Sequence, residues 1–223
     1  MGEQVNILYE DNHIIVVVKA ADQPVMQDAS DDYDLLTEVK DYIKIKYNKP
    51  GNVYAGLVHR LDRPVGGVMV FAKTSKAASR LSEQIRNNVI TRKYMAVVSG
   101  RMSKTSDTLE NLICKDKDKR MSFVSDTTCK EAKLARLSYT VLKTVGDYSL
   151  LDIELDTGRH HQIRVQLANI GHPIYGDMKY GKGPKGNIAL FSYSLELIHP
   201  VTKEIMKFTA EPDYTKAPWP LFK

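Results

Sequence analysis

Between His59 and Lys73 the chain reads HRLDRPVGGVMVFAK, with one carboxylate, Asp62, set between Arg60 and Arg63 ahead of a Pro-Val-Gly-Gly turn. Neighbouring cations favour the ionised form of a carboxylate. An ionised Asp can serve as nucleophile or base while flanking arginines hold a polyanion over it. The same residues equally suit a surface loop in which an Asp pairs with a neighbouring Arg. A second stretch, GRHHQIR at 158–164, places Arg159 and Arg164 on either side of His160, His161 and Gln162. The planar Arg fork binds carboxylate or phosphate in bidentate fashion, and a surface ion-pair cluster is the plain alternative. A third stretch, Arg92-Lys93-Tyr94, sets a ring beside two cations. Such a Tyr suits strand packing or stacking on a base.

Other chemistries find little footing. No GxxxxGK[ST] or GxGxxG opens a helix and no GxSxG occurs, so nucleotide-cofactor and serine-nucleophile chemistry lack their usual frames. GKGPKG at 181–186 lacks the strand-to-helix context of a phosphate cradle and reads as a flexible basic loop. The six histidines and two cysteines show no metal-ligand spacing, and no metal is expected. Cys114 and Cys129 form no CxxC pair, which argues against a disulfide scaffold and makes a reducing cytoplasm the simplest location. No apolar stretch is long enough to cross a membrane, and the start lacks the plan of a signal peptide. A formal charge of +5 favours an anionic partner without specifying one.

The elements that must position these residues follow from periodicity. Residues 6–18 read as a strand, turn and strand. Residues 31–46 carry apolar positions at helical spacing, and 68–72 form a buried strand. A second helix runs from a cap at Thr74 or Ser75 to Arg86, with Ala78, Leu81 and Ile85 inward. Strands follow at 94–98, 135–145 and 148–155, the last two joined by Gly146-Asp147. Residues 101–132, with the charged run 115–120, read as an exposed hairpin or insertion. A short helix starts near His160 and ends at Gly171. A Gly- and Lys-rich loop covers 176–186, and a strand pair closes the chain. Strands outnumber helices and connect as hairpins, which implies one α+β domain over residues 1–223 on a mainly antiparallel sheet.

Taken together, HRLDR at 59–63 with GGVMVFAKT, RKYMAVVSG at 92–100, DTGRHHQIRVQLANIGHPIYGD at 156–177 and ILYEDNHIIVVVK at 7–19 closely resemble the RluA-type RNA pseudouridine synthases. The resemblance implies an α+β catalytic domain with a central RNA-binding cleft and no separate N-terminal RNA-binding domain. It implies isomerisation of uridine in structured ribosomal or transfer RNA, with the target base flipped out and no cofactor. By the same resemblance Asp62 matches the catalytic nucleophile and Tyr94 the tyrosine that packs on the target base and is a candidate for moving a proton. Arg164 matches the basic residue that pairs with the catalytic aspartate, and Arg60 the arginine that fills the gap left by the flipped uridine. His59, Arg63, Lys19, Arg159, His161 and Gln162 complete the expected RNA contacts. The expected partner is an RNA stem-loop, with no membrane, no small-molecule cofactor and a monomer as default.

Two places depart from the family pattern. Val18-Lys19-Ala20 stands where Asn-Lys-Pro is usual, and Val65-Gly66-Gly67 where Thr-Ser-Gly is usual. These bear on the loop at Lys19 and on hydroxyl contacts after Asp62. The runs 115–120 and 179–185 are further candidates for RNA contact, or solvated charged faces. A non-catalytic RNA-binding or assembly factor on the same fold is the competing class.

Overall fold

The computed structural model describes residues 5–125, 129–181 and 187–223. The chain forms two compact units: Met1–Ile90 with Ser192–Glu211, and Thr91–Phe191 with Pro212–Lys223.

The first unit starts as expected, with strands β1 (Asn6–Glu10) and β2 (Ile14–Lys19) joined by a tight turn. Asp11 makes that turn, since its carboxylate accepts the backbone N–H groups of His13 at 2.7 Å and Ile14 at 2.8 Å. Helix α1 spans Leu35–Lys46 rather than beginning at 31, because Asp34 caps it by accepting the N–H of Thr37. After the two-residue strand β3 (Gly56–Leu57), the apolar run becomes β4 (Gly66–Ala72), buried along its whole length. Helix α2 (Ser75–Arg86) is capped by Thr74 and buries Ala77 and Leu81. The return strands are β10 (Leu190–Ile198) and β11 (Ile205–Thr209), and in this unit the strands run in the order β1-β2-β4-β10-β11. Ile14, Val16, Val68, Val70, Leu81, Leu195 and Leu197 pack one core between this sheet and α2.

Antiparallel pairing of β2 with β4 sets Lys19 opposite Gly67. Gly67 adopts φ +130, and a side chain there would lie 2.6 Å from the backbone nitrogen of Ser192, so only glycine fits.

The second unit is built on β5 (Thr91–Ser99), β6 (Ser106–Asp116), β7 (Met121–Val124), β8 (Lys133–Val145) and β9 (Tyr148–Leu155), in the order β5-β9-β8-β6-β7. Within 101–132, β6 and β7 pair as a hairpin whose turn end carries the charged run 115–120, and residues 126–128 lie outside the described residues. Helix α3 covers Gln162–Asn169 and is buried from Gln162 to Leu167. It is latched to the sheet by Gln166, whose Nε2 donates to Asn111 Oδ1 at 2.8 Å and to the carbonyl of Leu109 at 3.2 Å. Contrary to expectation, Cys114 and Cys129 are joined by a disulfide. Their spacing of 15 gives no hint of it; the β6–β7 hairpin brings the chain back past Cys114. Residues 182–186 of the glycine–lysine stretch lie outside the described residues.

A polar knot ties α1 to the edge of the first sheet. The Glu10 carboxylate accepts from Lys46 at 2.6 Å, Lys73 at 2.5 Å, Tyr47 at 2.9 Å and Tyr42 at 3.0 Å. Burial alone would raise its pKa, but these donors overcome that and hold it at about 2, against an ordinary 4.5. The knot's stabilisation is therefore complete above about pH 4.5 and lost as pH falls toward 2. In denaturant unfolding, Glu10→Gln is expected to cost about 1–3 kcal/mol at pH 7. The gap to wild type should close between pH 4.5 and 2, and a gap that stays constant over that range would contradict the linkage.

Candidate active site

The loop bearing Asp62 is held from beneath. Lys19 ends β2 with only 1% of its surface exposed, and its ammonium donates to the carbonyls of Ala20 at 2.8 Å, Gln23 at 2.6 Å and Arg63 at 2.9 Å. Burial pulls its pKa down to about 7, opposed by the negative charges of Asp22 and Asp62. The ammonium thus spends three donors on protein carbonyls and ties the end of β2 to the loop that bears Asp62. Asp62 itself is half-buried, and its carbonyl accepts the N–H of Val65 at 2.9 Å to close the turn into β4.

The neighbours of Asp62 divide. Arg60 is exposed. Arg63 turns toward the acidic loop 22–32, where it donates to the carbonyl of Asp22 at 3.1 Å, to Asp28 at 3.2 Å, to Ser30 at 2.8 Å and to Asp32. Those contacts are solvent-exposed, so they order the loop more than they stabilise the fold. His59 accepts the N–H of Val70 through Nε2 at 3.1 Å and so fastens the loop to β4.

In the second unit Tyr94 is buried on β5, on the same face as Arg92 and Ala96. Arg164, 5% exposed on α3, forms a bidentate pair with Asp177, both contacts measuring 2.7 Å. Asp177 also accepts the N–H groups of Lys179 at 3.0 Å and Tyr180 at 3.3 Å, and the Tyr180 ring lies 5.3 Å from the guanidinium carbon. Asp177 was not singled out from the sequence; its one signal was its place at the end of the IYGD segment.

The loop before α3 is shaped by its own side chains. Gln162 is buried, and its Oε1 accepts from the Thr157 hydroxyl at 2.7 Å and from the N–H of Arg159 at 2.9 Å. Its Nε2 donates to the carbonyl of Arg136 at 3.0 Å. His161, in a left-handed conformation with φ 54, stacks on His160 at 3.8 Å and meets the Tyr180 hydroxyl at 2.8 Å. Gln162 and His161 are thus turned into the protein. Arg159 is exposed, with its Nε donating to the carbonyl of Leu134 at 2.8 Å. Among the described residues no group of three or more His, Cys, Asp or Glu could hold a metal, and no helix is long and apolar enough to cross a membrane.

Two buried polar anchors therefore stand behind the candidate residues, and each has a measurable cost. Lys19→Met leaves three carbonyls without their donor and is expected to destabilise the protein by about 2–3 kcal/mol in denaturant unfolding. Asp177→Ala strands the Arg164 cation and should cost about 3–5 kcal/mol. A loss below about 0.5 kcal/mol in either variant would mean that water replaces the missing partner.

The sequence pattern of the family described as RNA pseudouridylate synthase matches residues 13–169. The chain is 35% identical over 208 residues to the uncharacterized RNA pseudouridine synthase YjbO of Bacillus subtilis, an alignment covering 92% of this chain and 71% of that protein. It is 34% identical over 224 residues to ribosomal large subunit pseudouridine synthase D of Haemophilus influenzae, covering 92% of this chain and 66% of that protein. The chain thus spans about two thirds of the length of these relatives. Human RNA pseudouridylate synthase domain containing 4 shares the fold, with a TM-score of 0.79 at 21% identity over 94% of this chain and 89% of that one.

Proposed function

The chain belongs to the RNA pseudouridylate synthase family, and from that premise we propose that it isomerises specific uridines of structured RNA to pseudouridine with Asp62 as nucleophile. The observation that supports this reading is that the family match runs from 13 to 169, a span that contains Asp62, Tyr94 and Arg164. Ribosomal RNA is the leading substrate and transfer RNA the second, because four of the relatives carry the large ribosomal subunit in their names.

The chemistry asks little beyond side chains. The bond from ribose C1′ to uracil N1 breaks, the base turns, and a bond forms from C1′ to C5. The C5 proton leaves to solvent, N1 takes up a proton in its place, and the bond that the Asp62 carboxylate forms during the exchange is broken again to free the enzyme. Atoms and oxidation state balance, so no oxidant or co-substrate is consumed. The reacting atoms are hidden in a stacked helix, and flipping the nucleotide out costs a few kcal/mol. Arg60, exposed and close in sequence to Asp62, fills the vacated stack. Tyr94 packs on the base, and Arg164 is the basic member of the catalytic set, its fork held by Asp177. Arg159 contacts the RNA backbone, whereas Lys19, His59, Arg63, His161 and Gln162 shape the loops that present these groups.

Tritium release from RNA carrying carbon-5-labelled uridine tests this reading. Wild type should release tritium from bulk ribosomal or transfer RNA, and Asp62→Ala should release none while melting as wild type does. Tyr94→Phe should retain RNA affinity and lose about 10²-fold or more in turnover. Turnover near wild type in Asp62→Ala would remove Asp62 from the nucleophile's role, and full turnover in Tyr94→Phe would leave that residue as packing.

A further inference from the structure

Among the described residues of the second unit, Arg92 stands apart. It sits on β5 with 7% of its surface exposed, buried among the residues of that strand. Its Nε is sealed from solvent without a partner. The guanidinium lies against Gly158, where a Cβ would come within 2.7 Å of Nη1. Gly158 thus leaves the tip of the fork the space that any other residue would fill.

The surroundings are electropositive. Arg159 follows Gly158, and three residues later the N-terminus of α3 presents the positive end of its dipole with no side-chain cap. Nearby carboxylates are engaged elsewhere, Asp156 with Arg136 at 3.1 Å and Glu154 with Lys93 at 3.3 Å. A buried cation with no counter-charge is costly, and a bound anion would remove that cost. Tyr94 lies two residues along on the same face of β5.

We propose that Arg92 receives a phosphodiester of the RNA, its terminal amino groups donating to the non-bridging oxygens beside the nucleotide that Tyr94 packs against. This rests on the reading of the chain as an RNA-modifying enzyme. A phosphate suits the site better than a uracil edge, because a neutral carbonyl would leave the cation uncompensated while two phosphate oxygens match the planar fork. The contact is sequence-independent and adds affinity and register rather than choice of base.

The test is the salt dependence of RNA binding, measured with a ribosomal RNA transcript for wild type, Arg92→Gln and Arg92→Lys, alongside melting and tritium release. Arg92→Gln should weaken binding about tenfold at physiological salt and lower the slope of log K against log salt by about 0.7–0.9. Its melting temperature should equal or exceed that of wild type, because an uncompensated cation has been removed. Arg92→Lys should keep the slope and regain part of the affinity. An unchanged slope with a lowered melting temperature would make Arg92 a packing residue and overturn the proposal. If wild type releases no tritium but the slope still depends on Arg92, the catalytic reading falls and the phosphate contact stands. If wild type releases tritium and the slope does not move, the phosphate contact alone falls.

Discussion

Three backbone carbonyls converge on the ammonium of Lys19, and one of them belongs to Arg63, the residue after Asp62. A polar loop that approaches a sheet end needs something to satisfy its carbonyls once water is excluded. The cation at the end of β2 does so, and the pairing of Lys19 with Gly67 fixes where that cation sits. The absence of a side chain at Gly67 lets the following strand run close to Ser192. The position of Asp62 thus descends from strand register through a buried ammonium to a turn closed by Val65.

The second unit solves a related problem with a pair of charges. Arg164 and Asp177 are both buried, and two hydrogen bonds plus backbone donors to Asp177 offset their desolvation. Such a pair contributes orientation more than net stability: the fork is held in one plane against the Tyr180 ring. Among the described residues the buried Nε of Arg92 finds no partner, the contrast on which its proposed part in phosphate binding rests.

Much of this was legible in sequence where one physical pattern dominates. Alternating and continuous apolar runs marked the strands, and Thr74 announced the start of α2 through its cap. Family motifs pointed to Asp62, Tyr94 and Arg164 as the residues to follow. What stayed hidden depends on long-range pairing. The burial of Lys19 and Gln162 and their hydrogen bonds to distant carbonyls were not legible, because a polar residue in a motif carries no sign of which way it faces. Asp177 lies 13 residues beyond Arg164, and no local rule joins them. The Cys114–Cys129 bond likewise depends on strand register, which a reading of 101–132 as a hairpin or insertion does not supply.

The central claim is that this chain rearranges uridine without changing its composition. The most direct measurement is a chromatogram of nucleosides digested from ribosomal and transfer RNA incubated with the protein. The account predicts a product of unchanged mass that elutes with pseudouridine and grows at the expense of uridine. Unaltered uridine in both RNA pools, with the protein folded and RNA bound, would contradict it.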